Sequence, residues 1–543
     1  MAESKYPKGL FFLVFTEFWE RFGYYLMIGI FFLYMTAEGK DGGMGWERST
    51  ASDIFGTFIA LAYLTPFMGG LLADLKLGYR FSITLGGILM GIGYCMLAIP
   101  EKWAFFTSLA VMVVGNGFFK PNIATLLGNL YNDPRYRHNK DTGYNIFYMG
   151  INVGALICNF VAAIMRNKIG WHGAFITAGI GMFLGVITFW IGMKHYKHVD
   201  VRKEPNPEDK PFLMQFVRIL LVGLACSIVG WFIPDNIFGS DSTDAFFMFC
   251  IPVIYFYASI YKKANAEERK PLGTMFTIFI IVILFWAIFK QNGTALTTYA
   301  EFYTDREAPE MIQKTMNTLE FSDTLYAKNS LVPQLDEQFR KIKNDSGKVV
   351  EVMDYQPYFK NYNKELPSEG TQLFLFNTEL FQSINPFFVV VLTPLIIVFF
   401  GFMRKRGKEP TTATKIAYGL LISALSTLVM VAAVHYTDNG MYKASSWWLI
   451  AGYGVITVGE LLLSPMGLSM VSKLAPIRLA ALMMGGWQLA TSIGNKLSGV
   501  LAKNWDKFDD KANYFWLNFA LLMFAFLIMM LLLKRLNRVF KET

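Results

Sequence analysis

Long apolar runs separated by short charged clusters set the pattern of this chain. Six come first, at 9–35, 50–73, 79–99, 103–131, 142–165 and 171–193. The polar connection 194–211 separates them from two more, 212–233 and 244–262. Six others follow, at 271–299, 383–403, 411–435, 445–474, 479–501 and 513–533. Each is close to the roughly 20 apolar residues that a helix needs to cross a hydrocarbon core. The pattern predicts an all-α polytopic membrane protein with fourteen spans grouped six, two and six. The corresponding units are an N-terminal six-helix bundle (1–195), a linker with two extra spans (196–265) and a C-terminal six-helix bundle (266–543). Residues 300–381 form the one long polar stretch, an extracytoplasmic loop or subdomain between the seventh and eighth spans of the two bundles. Within it, 309–319 and 332–342 have the spacing of short amphipathic helices.

Charge fixes the expected orientation. Lys and Arg recur in alternate connections: Lys5 and Lys8; Lys76 and Arg80; Arg135, Arg137 and Lys140; Lys197, Arg202, Lys203 and Lys210. The series continues with Lys262, Lys263, Arg269 and Lys270, then Arg404, Lys405, Arg406 and Lys408, then Lys473 and Arg478, and ends in the basic tail. The opposite connection 233–244 holds three Asp and no Lys or Arg. The positive-inside rule then puts both termini in the cytoplasm of a multi-pass plasma (bacterial inner) membrane protein. The composition, 54% hydrophobic and 17% charged, is that of a chain whose solvent is lipid. Because the basic residues are scattered among loops, the net charge of +9 is no nucleic-acid footprint. The first apolar run is too long and too charged for a cleaved signal peptide. Cys95, Cys158, Cys226 and Cys250 lie in apolar stretches without metal-ligand spacing and read as packing residues. His195 and His198 have no third ligand nearby, so no metal or cofactor is expected.

Ionisable residues inside spans are costly and normally face a bundle interior or a water-filled path. In the first span Glu17, Glu20, Arg21 and Tyr24 are three and four residues apart and make one helical stripe. One Arg cannot neutralise two carboxylates, which leaves one as a candidate proton carrier; a purely structural ion pair is the competing reading. Lys120 sits midway along the fourth span, where Pro121 and flanking glycines are expected to loosen the helix. Asn152 in the fifth span fits either a helix-bridging or a site role. In the second half, Lys290 and Gln291 interrupt the seventh span, Asn385 opens the eighth, Glu460 sits halfway along the tenth, and Trp487 lies in the eleventh. Cations in one half and an anion in the other would polarise a midplane cavity to suit a short zwitterion. Tyr24, Tyr25, Tyr63, Trp286 and Trp487 are candidate apolar walls.

The stretch 69–80, GGLLADLKLGYR, resembles the loop signature of the major facilitator superfamily, with glycines for a tight turn and Asp74 and Arg80 for pairing with a helix end. Glu17–Tyr25, the ExxERFxYY stretch, is more specific and resembles the proton-dependent oligopeptide transporter family. The ExxxSPxG stretch starting at Glu460, residues 147–154, residues 117–122 and the Ser383-Ile384-Asn385-Pro386 stretch fit the same family. The resemblance implies a proton-coupled symporter importing di- and tripeptides, acting as a monomer in the lipid bilayer. It implies that Arg21 and Lys120 bind the peptide carboxylate and Glu460 the amino terminus. Tyr24, Tyr25, Tyr63, Asn152, Trp286, Asn385 and Trp487 would line the pocket. Glu17, Glu20, Arg21 and Glu460 would couple protons, and Ser464 and Pro465 would form a gating bend.

Two positions depart from that pattern. Lys290 stands where the family usually has an acid, and Ile28 lies near where many bacterial members carry an arginine. The outer-gate ion pair of those members cannot form here, which makes Lys290 a candidate gating residue with another partner: Glu460, Glu301 or a ligand anion. Competing functions are a transporter of nitrate, a modified amino acid or another small anion, and, from a different class, a receptor whose only support is 300–381. A membrane enzyme lacks a visible nucleophile–base or metal constellation.

Overall fold

The computed structural model describes residues 6–200, 209–476 and 479–542. Lys5, Arg202, Lys203 and Arg478 of the basic pattern lie outside them, as does the Asp74 side chain. The described residues are mostly helical. The first group contains α1 (Gly9–Thr36), α2 (Arg48–Leu72), α3 (Tyr79–Met96), α4 (Lys102–Leu130), α5 (Lys140–Ile169) and α6 (Trp171–Gly192). Next come α7 (Asp209–Trp231), α8 (Asp241–Lys263) and α9 (Ala266–Phe289). Two short helices follow, α10 (Ala295–Phe302) and α11 (Glu310–Thr318). The chain finishes with α12 (Ile384–Lys405), α13 (Thr412–Tyr436), α14 (Ser446–Leu474), α15 (Ala480–Lys503) and α16 (Lys511–Glu542). All fourteen expected spans are present as helices of at least 18 residues, and ten are apolar enough to cross a membrane by length and composition alone. Two large cores form between them, one within α1–α6 and one that joins α8, α9 and α13–α16.

The seventh span differs from one continuous helix. A 3-10 turn, Lys290–Gly293, separates α9 from α10, and Thr294 leaves helical geometry. Gln291 holds the break: it donates to Asn518 at 3.2 Å and accepts from Tyr514 at 2.7 Å and Asn518 at 2.9 Å. Irregular backbone at membrane depth needs such protein partners. In contrast, α4 runs unbroken through Pro121 and α14 through Pro465. The glycines expected to loosen α4 instead admit its neighbours, Gly115 meeting α3 at Gly86 and Met90 and Gly117 meeting α2 at Thr65, and Asn116 donates across to the Ala62 carbonyl at 2.6 Å. Within 69–80, Gly69 and Gly70 lie inside α2 rather than in a turn; a π-helical turn, Ala73–Leu77, follows, the chain reverses at Gly78 with φ +79°, and Arg80 pairs with Asp200 at 2.7 Å.

Residues 303–381 fold into a small subdomain with α11 and three two-stranded sheets. These pair β1 (Thr304–Asp305) with β6 (Ala444–Ser445), β2 (Ser322–Tyr326) with β5 (Gln372–Phe376), and β3 (Ser330–Pro333) with β4 (Glu351–Asp354). The helix expected over 309–319 is α11, but 332–342 is not helical. There the Asp336 carboxylate accepts the backbone N–H groups of Gln338 and Arg340, each at 2.9 Å, and turns the chain back instead. The β1–β6 pair ties the subdomain to the α13–α14 connection, and Asn361 donates to the Phe302 and Gly440 carbonyls.

Candidate functional site

The α1 stripe is buried: Glu17, Glu20, Arg21 and Tyr24 all lie inside. The guanidinium forks onto Glu20, with one bond of 2.5 Å from Nη2 to Oε1, and its Nε lies 3.4 Å from Glu17 Oε1. Glu17 Oε2 has no hydrogen-bond partner among the described residues. One carboxylate thus takes most of the cation and the other is left under-neutralised. Arg21 also lies 5.1 Å from the Tyr24 ring and 5.9 Å from that of Tyr25. Close helix packing sets this arrangement: a Cβ on Gly154 of α5 would lie 2.8 Å from the Phe18 carbonyl, so glycine lets α5 seat against the stripe.

Tyr63 of α2 is the meeting point of two cations. Lys120 of α4 lies 4.1 Å from its ring and Lys290, at the break after α9, 5.6 Å from it. Lys290 also faces Trp286 at 5.8 Å and Phe289 at 5.5 Å. Neither lysine forms an ion pair with a carboxylate among the described residues, so pairing of Lys290 with Glu460 or Glu301 is not realised here. Facing them, Glu460 accepts a 3.0 Å hydrogen bond from Asn385, which also donates to Thr457 at 2.8 Å. Among the described residues the centre therefore carries two ammonium groups without a carboxylate partner and, apart from them, one carboxylate held by a neutral amide.

Other expected site residues sit differently. Asn152 donates back to the Tyr148 carbonyl of its own helix at 2.8 Å. Trp487 is only 3% exposed, filling the space left by Gly467 and meeting Phe279 edge-on. Trp286 is buried, with no hydrogen-bond partner for its indole N–H among the described residues. Ser464 is half-buried and Pro465 exposed. Ile28 is buried.

Hydrogen bonds between the two groups of six gather at the end that bears the subdomain. Gln382 donates to the Gly29 carbonyl at 3.2 Å, Asn159 to Ser383 at 3.0 Å, and Ser383 to the Leu156 carbonyl at 3.1 Å. Farther out, Arg166 of α5 clasps Asp323 at 2.6 Å and Glu379 at 2.7 Å. Lys341 reaches Glu38, Lys343 reaches Glu47, and Arg48 binds Asp506 at 3.2 Å. A cavity of about 1170 Å³ lies beneath the subdomain, lined by Arg48, Arg166, Glu301, Arg306, Asp323 and Glu379 among others. Sequence reasoning passed over Arg166, one residue beyond the predicted fifth span. It also missed Asp53 and Lys496, although both are ionisable residues inside predicted spans, the criterion that singled out Glu460.

Comparison with known proteins places this architecture. The sequence profile of the POT family matches residues 80–319 and 361–517, with its gap inside the subdomain. The chain is 31% identical to the uncharacterized transporter YclF of Bacillus subtilis, over 92% of this chain and 89% of that protein. It is 29% identical to a di-/tripeptide transporter of Lactococcus lactis subsp. cremoris, over 91% of this chain and 88% of that one. A crystal structure of the peptide transporter POT in complex with sulfate superposes with a TM-score of 0.75 at 29% identity, over 99% of this chain and 97% of the other. A POT family transporter in complex with 5-aminolevulinic acid gives 0.77 at 26% identity, over 98% and 97%. The fold is that of the major facilitator superfamily, and the chain belongs to the POT family of membrane transporters.

Proposed function

We propose that this protein is a proton-coupled symporter that imports di- and tripeptides by alternating access. The observation that carries this reading is the separation of charge at the centre, with Lys120 and Lys290 around Tyr63 and Glu460 on Asn385. A peptide's carboxylate and ammonium ends would each meet the opposite charge there. Arg21 and Lys120 take the carboxylate and Glu460 the amine, while Tyr24, Tyr25, Tyr63, Asn152, Trp286 and Asn385 shape the pocket and Trp487 backs its wall. Glu17, with one oxygen unpartnered among the described residues beside the Arg21–Glu20 fork, is positioned to exchange a proton together with Glu20 and Glu460. Lys290, at the break between α9 and α10, and the Ser464–Pro465 pair act in gating. The Lactococcus relative's description as a di-/tripeptide transporter supports the substrate class.

The mechanical units are the bundles 1–195 and 266–543, joined through 196–265, in a monomer of the plasma membrane with both termini cytoplasmic. The end closed by Gln382, Asn159 and Ser383 is then the outer one, with the 303–381 subdomain as its lid. A second reading, transport of another small zwitterion or anion, is favoured by the extra cation Lys290. A solved relative in complex with 5-aminolevulinic acid supports it too.

Uptake of a labelled dipeptide into proteoliposomes, with and without an inward proton gradient, tests the proposal. Accumulation only with the gradient is expected. Equilibration without accumulation would remove the coupling. No uptake of peptide, with uptake of a small anion or of 5-aminolevulinate, would establish the second reading.

A further inference from the structure

We infer that Asp53 of α2 and Lys496 of α15 form an ion-pair lock that holds the two bundles together at the subdomain end, completed by the N-terminus of α8. This rests on the alternating-access reading above. Asp53, Gly56, Thr57 and Ala60 share one face of α2, and Ser492, Lys496 and Gly499 one face of α15. The two faces touch. A Cβ on Gly56 would lie 2.8 Å from the Gly499 Cα, and Ser492 donates to the Ala60 carbonyl at 2.6 Å. Lys496 is 0% exposed and Asp53 9%.

The Lys496 ammonium spends its three hydrogens within this contact. It donates to Asp53 Oδ1 at 2.7 Å, Thr57 Oγ1 at 2.6 Å and Ser242 Oγ at 3.1 Å. Asp53 Oδ1 also accepts from Ser240 and Thr243, both at 3.0 Å, and Oδ2 from Ser242 at 2.5 Å. Those hydroxyls form the first turn of α8, whose approach is held by Asp244 accepting the Ile237 N–H at 2.7 Å and the Phe238 N–H at 2.8 Å. Lys503 of α15 holds the residue just before that turn, donating to the Gly239 carbonyl at 2.5 Å. One network thus joins the first bundle, the last bundle and the connecting pair of helices.

Its energetics suit a lock. Two buried charges are tolerable only while each satisfies the other, and removing one partner of such a pair is strongly unfavourable. Any rotation that parts α2 from α15 at this end must bring water to both charges, so opening is disfavoured until the whole face separates. The Asn495 carboxamide, fully buried between Ser492 and Lys496, has no hydrogen-bond partner among the described residues.

The test is a distance measurement. Ile169→Cys at the end of α5 and Tyr436→Cys at the end of α13, both strongly exposed, carry spin labels. The four native cysteines are replaced by alanine, and the full chain is reconstituted in lipid nanodiscs. Pulsed electron–electron resonance should find the parent mostly at short separation. Asp53→Asn and Lys496→Met should each raise the ratio of long to short separation by about tenfold. Ser242→Ala should shift it the same way by less, and Asp53→Lys combined with Lys496→Asp should return it toward the parent. Unchanged distributions in the single variants, or an exchange variant as open as they are, would overturn the lock. If the charge variants do not fold, an unchanged Ser242→Ala distribution overturns it as well. The readout needs no peptide, so loss of uptake in the parent would defeat the transport reading separately.

Discussion

Replacing Glu460 by glutamine isolates the charge that the proposed amine site depends on. The side chain is half-buried in the middle of α14, and its Oε2 accepts a single 3.0 Å hydrogen bond from Asn385. The amide oxygen of glutamine can accept that same hydrogen, and Asn385 keeps its 2.8 Å bond to Thr457. The substitution therefore changes one unit of charge and little of the packing. A hydrogen bond to a charged group contributes roughly 1.5–3 kcal/mol, against about 1 for a neutral one. Loss of the charged component, about 0.5–2 kcal/mol, should weaken a free-amine dipeptide by roughly 2- to 30-fold in Kd. Binding of Ala-Ala and N-acetyl-Ala-Ala to purified parent and Glu460→Gln protein, followed by calorimetry, separates the cases. The free-amine peptide should lose affinity, the acetylated one should change little, and the preference between them should collapse. Equal affinity of parent and variant for Ala-Ala would refute the assignment of Glu460 to the amine.

Glu20→Gln removes the carboxylate that takes most of the Arg21 guanidinium, so peptide counterflow should persist while proton-driven accumulation is lost; intact accumulation would take Glu20 out of the coupling scheme. Arg166→Gln leaves Glu379, fully buried, without its 2.7 Å partner, and should lower stability by roughly 3–5 kcal/mol, seen as a drop in Tm of the purified protein. Lys443 contributes a pH dependence: burial, with Arg306 nearby, pushes its ammonium down to about 7. Below pH 7 the folded and unfolded chains both carry this proton and the fold bears the full cost of burying it. Between about 7 and its ordinary 10.5 only the unfolded chain keeps the proton, so stability should rise with pH by up to about 1.4 kcal/mol per unit. Tm profiles from pH 6 to 9 should show that rise in the parent and a flatter line in Lys443→Met; parallel profiles would exclude the lysine as its source.

The sequence by itself determined what depends on near neighbours. Runs of about 20 apolar residues must become helices in lipid, because no other local structure satisfies every backbone group there. The spans read from the chain accordingly match α1–α8 and α12–α16 to within a few residues, except in the longer α5 and α16, while the seventh is divided between α9 and α10. Positions three and four apart share a helix face whatever packs on it, so the Glu17–Glu20–Arg21–Tyr24 stripe was legible too. The 332–342 segment was misread because hydrophobic spacing says nothing of the Asp336 carboxylate competing for backbone N–H groups. Only the tertiary structure decided what depends on residues far apart in the chain. Lys120 and Lys290 come to share Tyr63 because α2, α4 and α9 converge. Gln291 can hold the break after α9 because α16 supplies Tyr514 and Asn518. Trp487 of α15 packs into α14 because Gly467 leaves room for it. Asp53 finds Lys496 because two glycines let α2 and α15 touch. A charge inside a span announces that it needs a partner, but which helix delivers that partner is fixed by packing.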